Sequence, residues 1–354
     1  MNDVRKSGEF PFGSEICEPR NGYTTRTRGG QSLPNDRTLL AIAAEVSRKL
    51  PGPDPWIYWP DFILSAAIGY ASLSGTVLAH TIFWRLTCAV VSIFSLYRAA
   101  SFIHELTHLR RGSLPGFRFT WNLLVGIPLL IPSFLYEGVH TQHHVKTRYG
   151  TVHDPEYLPL ASMKPRISAL LVVLSAVAPL GLFFRFAILA PLGLLLPPVR
   201  ALVWERYSAL SINPDYRRRA NHGPLNLAWV IEESAACLFA WMLLLSPIVL
   251  GWRPLLTYCC ILAGMSVINQ LRTLTAHLWE NEGEVINVTA QYLDSVNVPP
   301  PNRLAFLWAP VGLRYHALHH LLPSVPYHAL GLAHRHLMDR LPPPRPMREP
   351  TTGR

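Results

Sequence analysis

Histidines grouped in three short clusters are the residues of this chain best suited to chemistry. On a helix, residues four apart project from one face about 5–6 Å from each other, so two such imidazoles can share a metal ion. An adjacent histidine is turned by about 100° and can reach a neighbouring ion. Together the clusters offer eight imidazoles, which exceeds what one ion accepts, and the spacing predicts a dinuclear site. The clusters are His104-Glu-Leu-Thr-His108, His140-Thr-Gln-His143-His144 and His316-Ala-Leu-His319-His320.

The ligand type narrows the choice of metal. Imidazole binds zinc, copper, iron and nickel. Zinc sites normally close at four ligands, so eight or more histidines without thiolates argue against one structural zinc. Iron is favoured, because a redox metal explains such a site beside a membrane. One alternative concerns the first cluster alone: His104-Glu105-Leu106-Thr107-His108 matches HExxH, in which the Glu is the general base of a zinc hydrolase. That alternative leaves the other two clusters without a role.

The composition predicts a membrane protein. Of the 354 residues, 49% are hydrophobic and 15% are charged, whereas soluble domains carry about 25% charged residues. Apolar stretches at 62–79, 167–199 and 225–269 are each near or above the roughly 20 residues that cross a bilayer as a helix. A soluble globular enzyme is therefore not expected. The five cysteines contain no CxxC pair, so neither a disulfide framework nor a thiolate metal site is predicted.

The predicted fold is an all-α integral membrane protein with about four transmembrane helices and a cytoplasmic helical cap that holds the histidine-rich dimetal site. Clusters that meet on one side of a membrane are separated by an even number of crossings. Stretch 167–199 is therefore expected to lie in the interface or to re-enter. The predicted spans lie near 56–80, 82–108, 226–250 and 255–275, within a membrane domain at 55–338. A polar, partly disordered region at 1–54, with one short helix over 38–50, precedes it, and a Pro/Arg-rich tail at 339–354 follows it.

The formal net charge of +10 predicts the orientation of the spans and not nucleic-acid binding. Basic residues collect in cytoplasmic loops of membrane proteins. Only Arg85 and Arg253 fall in the turns opposite the histidine clusters, while many arginines lie on the cluster side. The histidine clusters and both termini are thus predicted to be cytoplasmic. No cleavable signal peptide is expected at the polar N-terminus.

These motifs resemble the membrane fatty acid desaturase family, which includes related hydroxylases. The family pattern is HxxxH or HxxxxH, then HxxHH, then a distant HxxHH, and the likeness covers roughly 55–338, including the segments at 149–157 and 313–315. It implies one more ligand, His277, just beyond the last span. The implied ligand set is His104, His108, His140, His143, His144, His277, His316, His319 and His320. Carboxylates expected to hold these ligands in place are Glu105, Glu137, Asp154, Glu156, Glu280 and Asp294.

The resemblance implies an oxidoreductase that desaturates a lipid acyl chain with O2 and two iron ions. Hydroxylation or a related oxidation on the same site is the alternative; a zinc hydrolase and a membrane metal-binding protein are the weaker ones. The chain shows no dinucleotide fingerprint and no four-cysteine iron–sulfur pattern. Electrons are therefore expected from an external donor such as a ferredoxin or a cytochrome. An intact acyl-lipid, an acyl-CoA or an acyl-carrier-protein substrate all remain open.

Overall fold

A computed structural model describes residues 36–110, 112–219 and 226–341, and over these ranges the predicted all-helical fold is confirmed. Most of region 1–54 and of tail 339–354 lies outside the described residues. The α-helices are α1 Arg37–Lys49, α2 Pro55–Leu78, α3 Ile82–His108, α4 Phe117–Trp121, α5 Val139–His144, α6 Pro165–Ala176, α7 Ala178–Phe183, α8 Ala190–Leu195, α9 Pro197–Tyr207, α10 Leu227–Leu245, α11 Pro247–Leu250, α12 Trp252–Leu274, α13 Val288–Asp294, α14 Ala305–Trp308, α15 His316–Leu321 and α16 Leu330–Arg340. Short 3-10 turns lie at Ser133–Leu135 and Tyr327–Ala329, and π-helical stretches at Asn122–Gly126 and Phe184–Leu189.

Helices α2 and α3 form a tight antiparallel hairpin. Asp54 begins α2 by accepting a hydrogen bond from the N–H of Trp56 at 2.9 Å, and Thr81 lies at the N-terminus of α3. The helices approach closely at Gly69, where an added Cβ would lie 2.6 Å from the Leu96 side chain. Ser92 donates a hydrogen bond to the carbonyl of Gly69 at 2.9 Å across this contact. The hairpin delivers the end of α3, with the first histidine cluster, to the other elements of the site.

A second hairpin joins Leu227–Leu250 to Trp252–Leu274. Gly251 makes the turn with φ +73°, a conformation that favours glycine. The second helix begins at Trp252, three residues before the predicted start at 255, because a proline such as Pro254 is tolerated in the first turn of a helix. Large apolar side chains cover the outer surface, and Ile248 is 81% exposed. Such a face is suited to contact with lipid.

A fifth helix, Ala178–Leu195, is also long and apolar enough to cross a membrane, in addition to the four predicted spans. The flanks of this stretch return to the same place. Ile167 before it and Ile212 after it both pack against the cluster that contains Tyr149 and Trp279. Segment 165–212 therefore starts and ends on the side of the protein that carries the histidines. It does not change the side of the membrane on which the third histidine cluster lies. The helix Ala178–Leu195 counts as a candidate span by its length and hydropathy alone.

The region beyond the third cluster packs against the N-terminal helix. Helix α1 matches the short helix predicted at 38–50, and Leu39 and Val46 on its buried face join Leu318, Leu330 and Leu337 in one apolar cluster. The third histidine cluster lies on α15, which belongs to the same packed unit. Burial of apolar side chains on both sides thus fixes the position of this short helix.

Candidate metal centre

The fold brings the three histidine clusters to one place, from the end of one long helix and from two short ones. The first cluster forms the last turn and a half of α3, the second lies on α5, and the third forms α15. His277 follows the end of α12 by three residues. Its strand-like segment pairs with Ser295 in an isolated backbone bridge, which holds it beside α13.

The structure brings all nine predicted ligands together, and eight of them fall into two groups of four. Within each group the possible ligand nitrogens lie within 4.8 Å of one another. The His104 group comprises His104, His108, His140 and His319, and the His277 group comprises His143, His277, His316 and His320. The ninth, His144, lies between them: its Nε2 is 2.9 Å from that of His140, and its ring centroid is 4.5 Å from that of His320.

The nitrogens of these rings have the spacing that shared metal ions require. The Nε2 atoms of His277 and His316 lie 3.0 Å apart, and those of His316 and His320 lie 3.2 Å apart. Metal–imidazole bonds of about 2.1 Å at right angles place two ligand nitrogens about 3 Å apart. Both nitrogens of His104 and Nε2 of His108 are buried without a hydrogen-bond partner. Since such orphaned groups are costly, the site fits a pair of metal ions.

Burial also holds most of these imidazoles in the neutral form. Neutral imidazole is the form that binds a metal ion. His143 is the exception: burial alone would lower its pKa, but the facing Asp154 carboxylate outweighs this effect and raises it. Loss of hydration, reinforced by neighbouring cationic groups, lowers the pKa of His140, His144, His277, His316, His319 and His320.

Three of the predicted carboxylates orient the histidines through the Nδ1 side of the imidazole rings. Asp154 accepts a hydrogen bond from Nδ1 of His143 at 2.9 Å, and Glu156 accepts one from Nδ1 of His140. Asp294 contacts His277 indirectly, through Tyr149. The Tyr149 hydroxyl lies 2.7 Å from Oδ2 of Asp294 and 2.9 Å from Nδ1 of His277. A partner on Nδ1 fixes the tautomer that directs Nε2 toward the metal.

The remaining three carboxylates have other contacts. Glu137 accepts hydrogen bonds from Arg118 and from the indole of Trp229 at 3.3 and 3.0 Å. The N–H of Glu280 donates to Asp294 at 3.2 Å. Glu105 accepts from the Tyr58 hydroxyl and from the N–H of Tyr327, and its other oxygen lies 3.8 Å from His104 Nδ1. These bonds tie Glu105 to the surrounding helices, which weakens the case for it as the general base of a zinc hydrolase.

Sequence reasoning missed the tyrosines that join this second layer of contacts. Tyr136 lies four residues before His140, ahead of the start of α5, and its hydroxyl is 3.0 Å from His140 Nδ1 and 2.5 Å from Glu156. The four-residue spacing was a usable signal for this residue. Tyr149 offered none toward His277, because the two are 128 residues apart in sequence. Gly150 (φ +68°) lets this segment approach Asn281, whose side chain its Cβ would meet at 2.3 Å.

Comparisons with known proteins agree with this geometry. The family described as fatty acid desaturase matches residues 78–351. The chain belongs to the fatty acid desaturase family. The "Ceramide hydroxylase" of Caulobacter vibrioides (strain NA1000 / CB15N) is 45% identical over 309 residues, which cover 87% of this chain and 88% of that relative. No solved structure matches the chain. Family membership makes the protein an oxidoreductase, and its apolar helices make it an integral membrane protein.

Proposed function

We propose that this protein hydroxylates a ceramide-type membrane lipid with O2, at a pair of iron ions held by the nine histidines. The observation that carries the proposal is the relative named as a ceramide hydroxylase, which is 45% identical and is matched over nearly its whole length. The convergence of the histidines into two groups supports the dinuclear part of it. Desaturation, the main prediction from the sequence, is less well supported than its hydroxylase alternative.

The balanced reaction defines what the site must provide. Hydroxylation converts C–H, O2, two electrons and two protons into C–OH and water. When bound, the metal pair would supply the activation of O2. Neutral imidazoles would hold the ions, while Asp154 and Glu156 keep His143 and His140 in the tautomer that presents Nε2. Seven of the nine histidines are buried, which shields the site from bulk water.

Iron fits the donor set better than a single zinc does. The two groups contain imidazole nitrogen and no thiolate, and neither is the closed four-ligand thiolate site typical of structural zinc. A redox reaction with O2 also needs a metal that can change its oxidation state, which zinc cannot. The proposal therefore places His104, His108, His140 and His319 around one iron, His143, His277, His316 and His320 around the other, and His144 between them.

The substrate and the electrons reach the site from different sides in this proposal. A lipid acyl chain has no polar handle near the reacting carbon, so apolar walls must position it. Helix α3, which carries the first cluster, and helix α12, which ends three residues before His277, are long and apolar, which suits entry from the bilayer. The excess of basic residues on the histidine side supports a cytoplasmic location for that side. An acidic carrier such as a ferredoxin, or a cytochrome, would dock there through complementary charge.

Desaturation by the same site is the second candidate, because the family that matches is described by that activity. The two reactions share O2 and both electrons. They part only after the first hydrogen is removed: desaturation then removes a second, vicinal hydrogen and forms a second water. The mass of the product separates them, since hydroxylation adds one oxygen and desaturation removes two hydrogens.

Lipid mass spectrometry of an expressing host tests the proposal. Supplied with a ceramide, wild-type protein should give a product that carries one added oxygen. His319→Ala should abolish this product, while His80→Ala, which changes an exposed histidine in the α2–α3 turn, should leave it unchanged. A product lacking two hydrogens would assign desaturation instead. An oxygenated product that persists in His319→Ala would contradict the assignment of the site.

A further inference from the structure

A basic cavity lies on the outer side of the second histidine cluster, and no step of the proposed reaction uses it. Its volume is about 630 Å³, and Gly138 and Gln142 of the cluster-two segment form part of its wall. None of the nine histidines lines it. The residues that give the cavity its character are Arg148, Arg217, Arg218, Arg219, Trp204 and Trp229.

The charge of this wall favours an anion. Four guanidinium groups face two carboxylates, those of Glu137 and Asp215. The Glu137 carboxylate already accepts hydrogen bonds from Trp229 and Arg118 at 3.0 and 3.3 Å, and these bonds compensate much of its negative charge. Guanidinium groups present paired N–H donors whose geometry matches phosphate oxygens. The lining thus suits a phosphate group better than a cation or a neutral apolar ligand.

Arg218 is the most buried of the four arginines that line the cavity. It is 7% exposed, its guanidinium carbon lies 5.0 Å from the Trp229 ring centroid, and one of its nitrogens donates to the Phe134 carbonyl at 3.0 Å. Its Nε and the indole N–H of Trp204 are buried without partners. Oδ2 of Asp215 is a buried acceptor without a partner. Residues with unpaired donors and a residue with an unpaired acceptor thus line the same cavity, which points to a ligand that carries both acidic oxygens and a hydroxyl.

The position of the cavity favours a lipid as the source of that ligand. Trp229 is the third residue of the membrane-capable helix Leu227–Leu250, and the Trp204 ring packs against it at 5.5 Å. Tryptophans near helix ends lie at the level of lipid headgroups. Basic pockets between helices at this level bind anionic headgroups.

We propose that this cavity binds the headgroup of an anionic phospholipid, with the phosphate on the arginines and a headgroup hydroxyl on Asp215. The bound lipid is not the molecule that reacts, because the cavity lies outside the histidine site. It braces the segment that carries the second cluster against segment 204–219. Phosphatidylglycerol has both the phosphate and the hydroxyls, and is the probe of choice.

Native mass spectrometry of the purified protein tests this site. Short-chain phosphatidylglycerol is titrated into the full chain in uncharged detergent, and one lipid should bind in preference to phosphatidylcholine. Arg148→Gln with Arg219→Gln should weaken binding about 30-fold, since each basic residue near an anionic lipid contributes about fivefold in affinity. Arg48→Gln with Arg335→Gln removes the same charge from exposed positions away from the cavity and should leave binding unchanged.

Three results would overturn the proposal. The first is wild-type affinity in the Arg148→Gln/Arg219→Gln protein. The second is an equal loss in the Arg48→Gln/Arg335→Gln protein, which would reduce the effect to net charge. The third is displacement of the lipid by inorganic phosphate at equal concentration, which would assign the cavity to a soluble phosphate. Metal content unchanged from wild type verifies that both variants are folded.

Discussion

In the His277 group, two of the four histidines are tied to carboxylates that are almost fully buried, while Nδ1 of His316 and of His320 has no partner. The His104 group has one histidine with a hydrogen-bonded carboxylate, His140. Asp154 and Asp294 are 0% and 1% exposed, and they hold His143 directly and His277 through Tyr149. In the His104 group, Glu156 holds His140, but both nitrogens of His104 lack partners. Helices α5 and α15 supply histidines to both groups, whereas α3 contributes only to the His104 group and the segment after α12 only to the His277 group.

From this difference we predict that two metal ions bound at this centre would be held with different strength. Asp154 also accepts backbone N–H groups of Gly150 and Glu156 at 2.8 and 2.9 Å, so its orientation is fixed without a metal. His104 gains a bonding partner only when a metal ion binds. We therefore expect the His277 group to bind metal more tightly, and the His104 group to lose its ion first during chelation.

Replacement of Asp154 by Asn should have the largest effect among the residues behind the ligands. The amide keeps the size of the side chain but removes the charge that orients His143, and loss of such a partner typically costs 10–100-fold, that is about 1–3 kcal/mol, in metal affinity. Metal content after dialysis against a graded chelator series measures it. Glu156→Gln is the matched change in the His104 group, and a greater loss there than in Asp154→Asn would reverse the comparison.

Tyr149→Phe should have an intermediate effect. It removes one hydroxyl that contacts both His277 and Asp294, and leaves that carboxylate short of a donor. A buried hydrogen bond of this kind contributes about 1–2 kcal/mol, so we expect a loss of roughly tenfold in metal affinity of the His277 group. Tyr136→Phe makes the same chemical change beside His140. Equal chelator sensitivity of the two variants would indicate that the two halves do not differ.

Glu105→Gln should have the smallest effect. The amide oxygen can still accept the hydrogen bonds from Tyr58 and Tyr327, so product formation should fall less than about tenfold. A general base would behave differently, since its removal costs about 100- to 10,000-fold in rate. The rate of product formation by the purified enzyme, with one lipid substrate supplied, measures the change. A loss of 100-fold or more in rate would instead support Glu105 as a general base, as in the HExxH alternative.

The parts of the site that sequence could predict are those with local spacing. The spacing within the three clusters predicts that eight histidines lie on helix faces that can share ions. The predicted membrane spans place these clusters on one side of the membrane. His277 lies apart from every cluster and was reached only through the family pattern. Contacts such as Tyr149 with His277 join segments 128 residues apart, and no local pattern encodes them. Hydropathy likewise could not show that segment 165–212 returns to the side from which it starts.

Metal analysis of the purified wild-type protein tests the central claim most directly. Two irons per chain are predicted, and His143→Ala and His319→Ala, one from each group, should each reduce the iron content by at least one. His80→Ala should retain both ions. One zinc per chain, or an iron content that neither substitution lowers, would contradict a dinuclear iron centre built from these histidines.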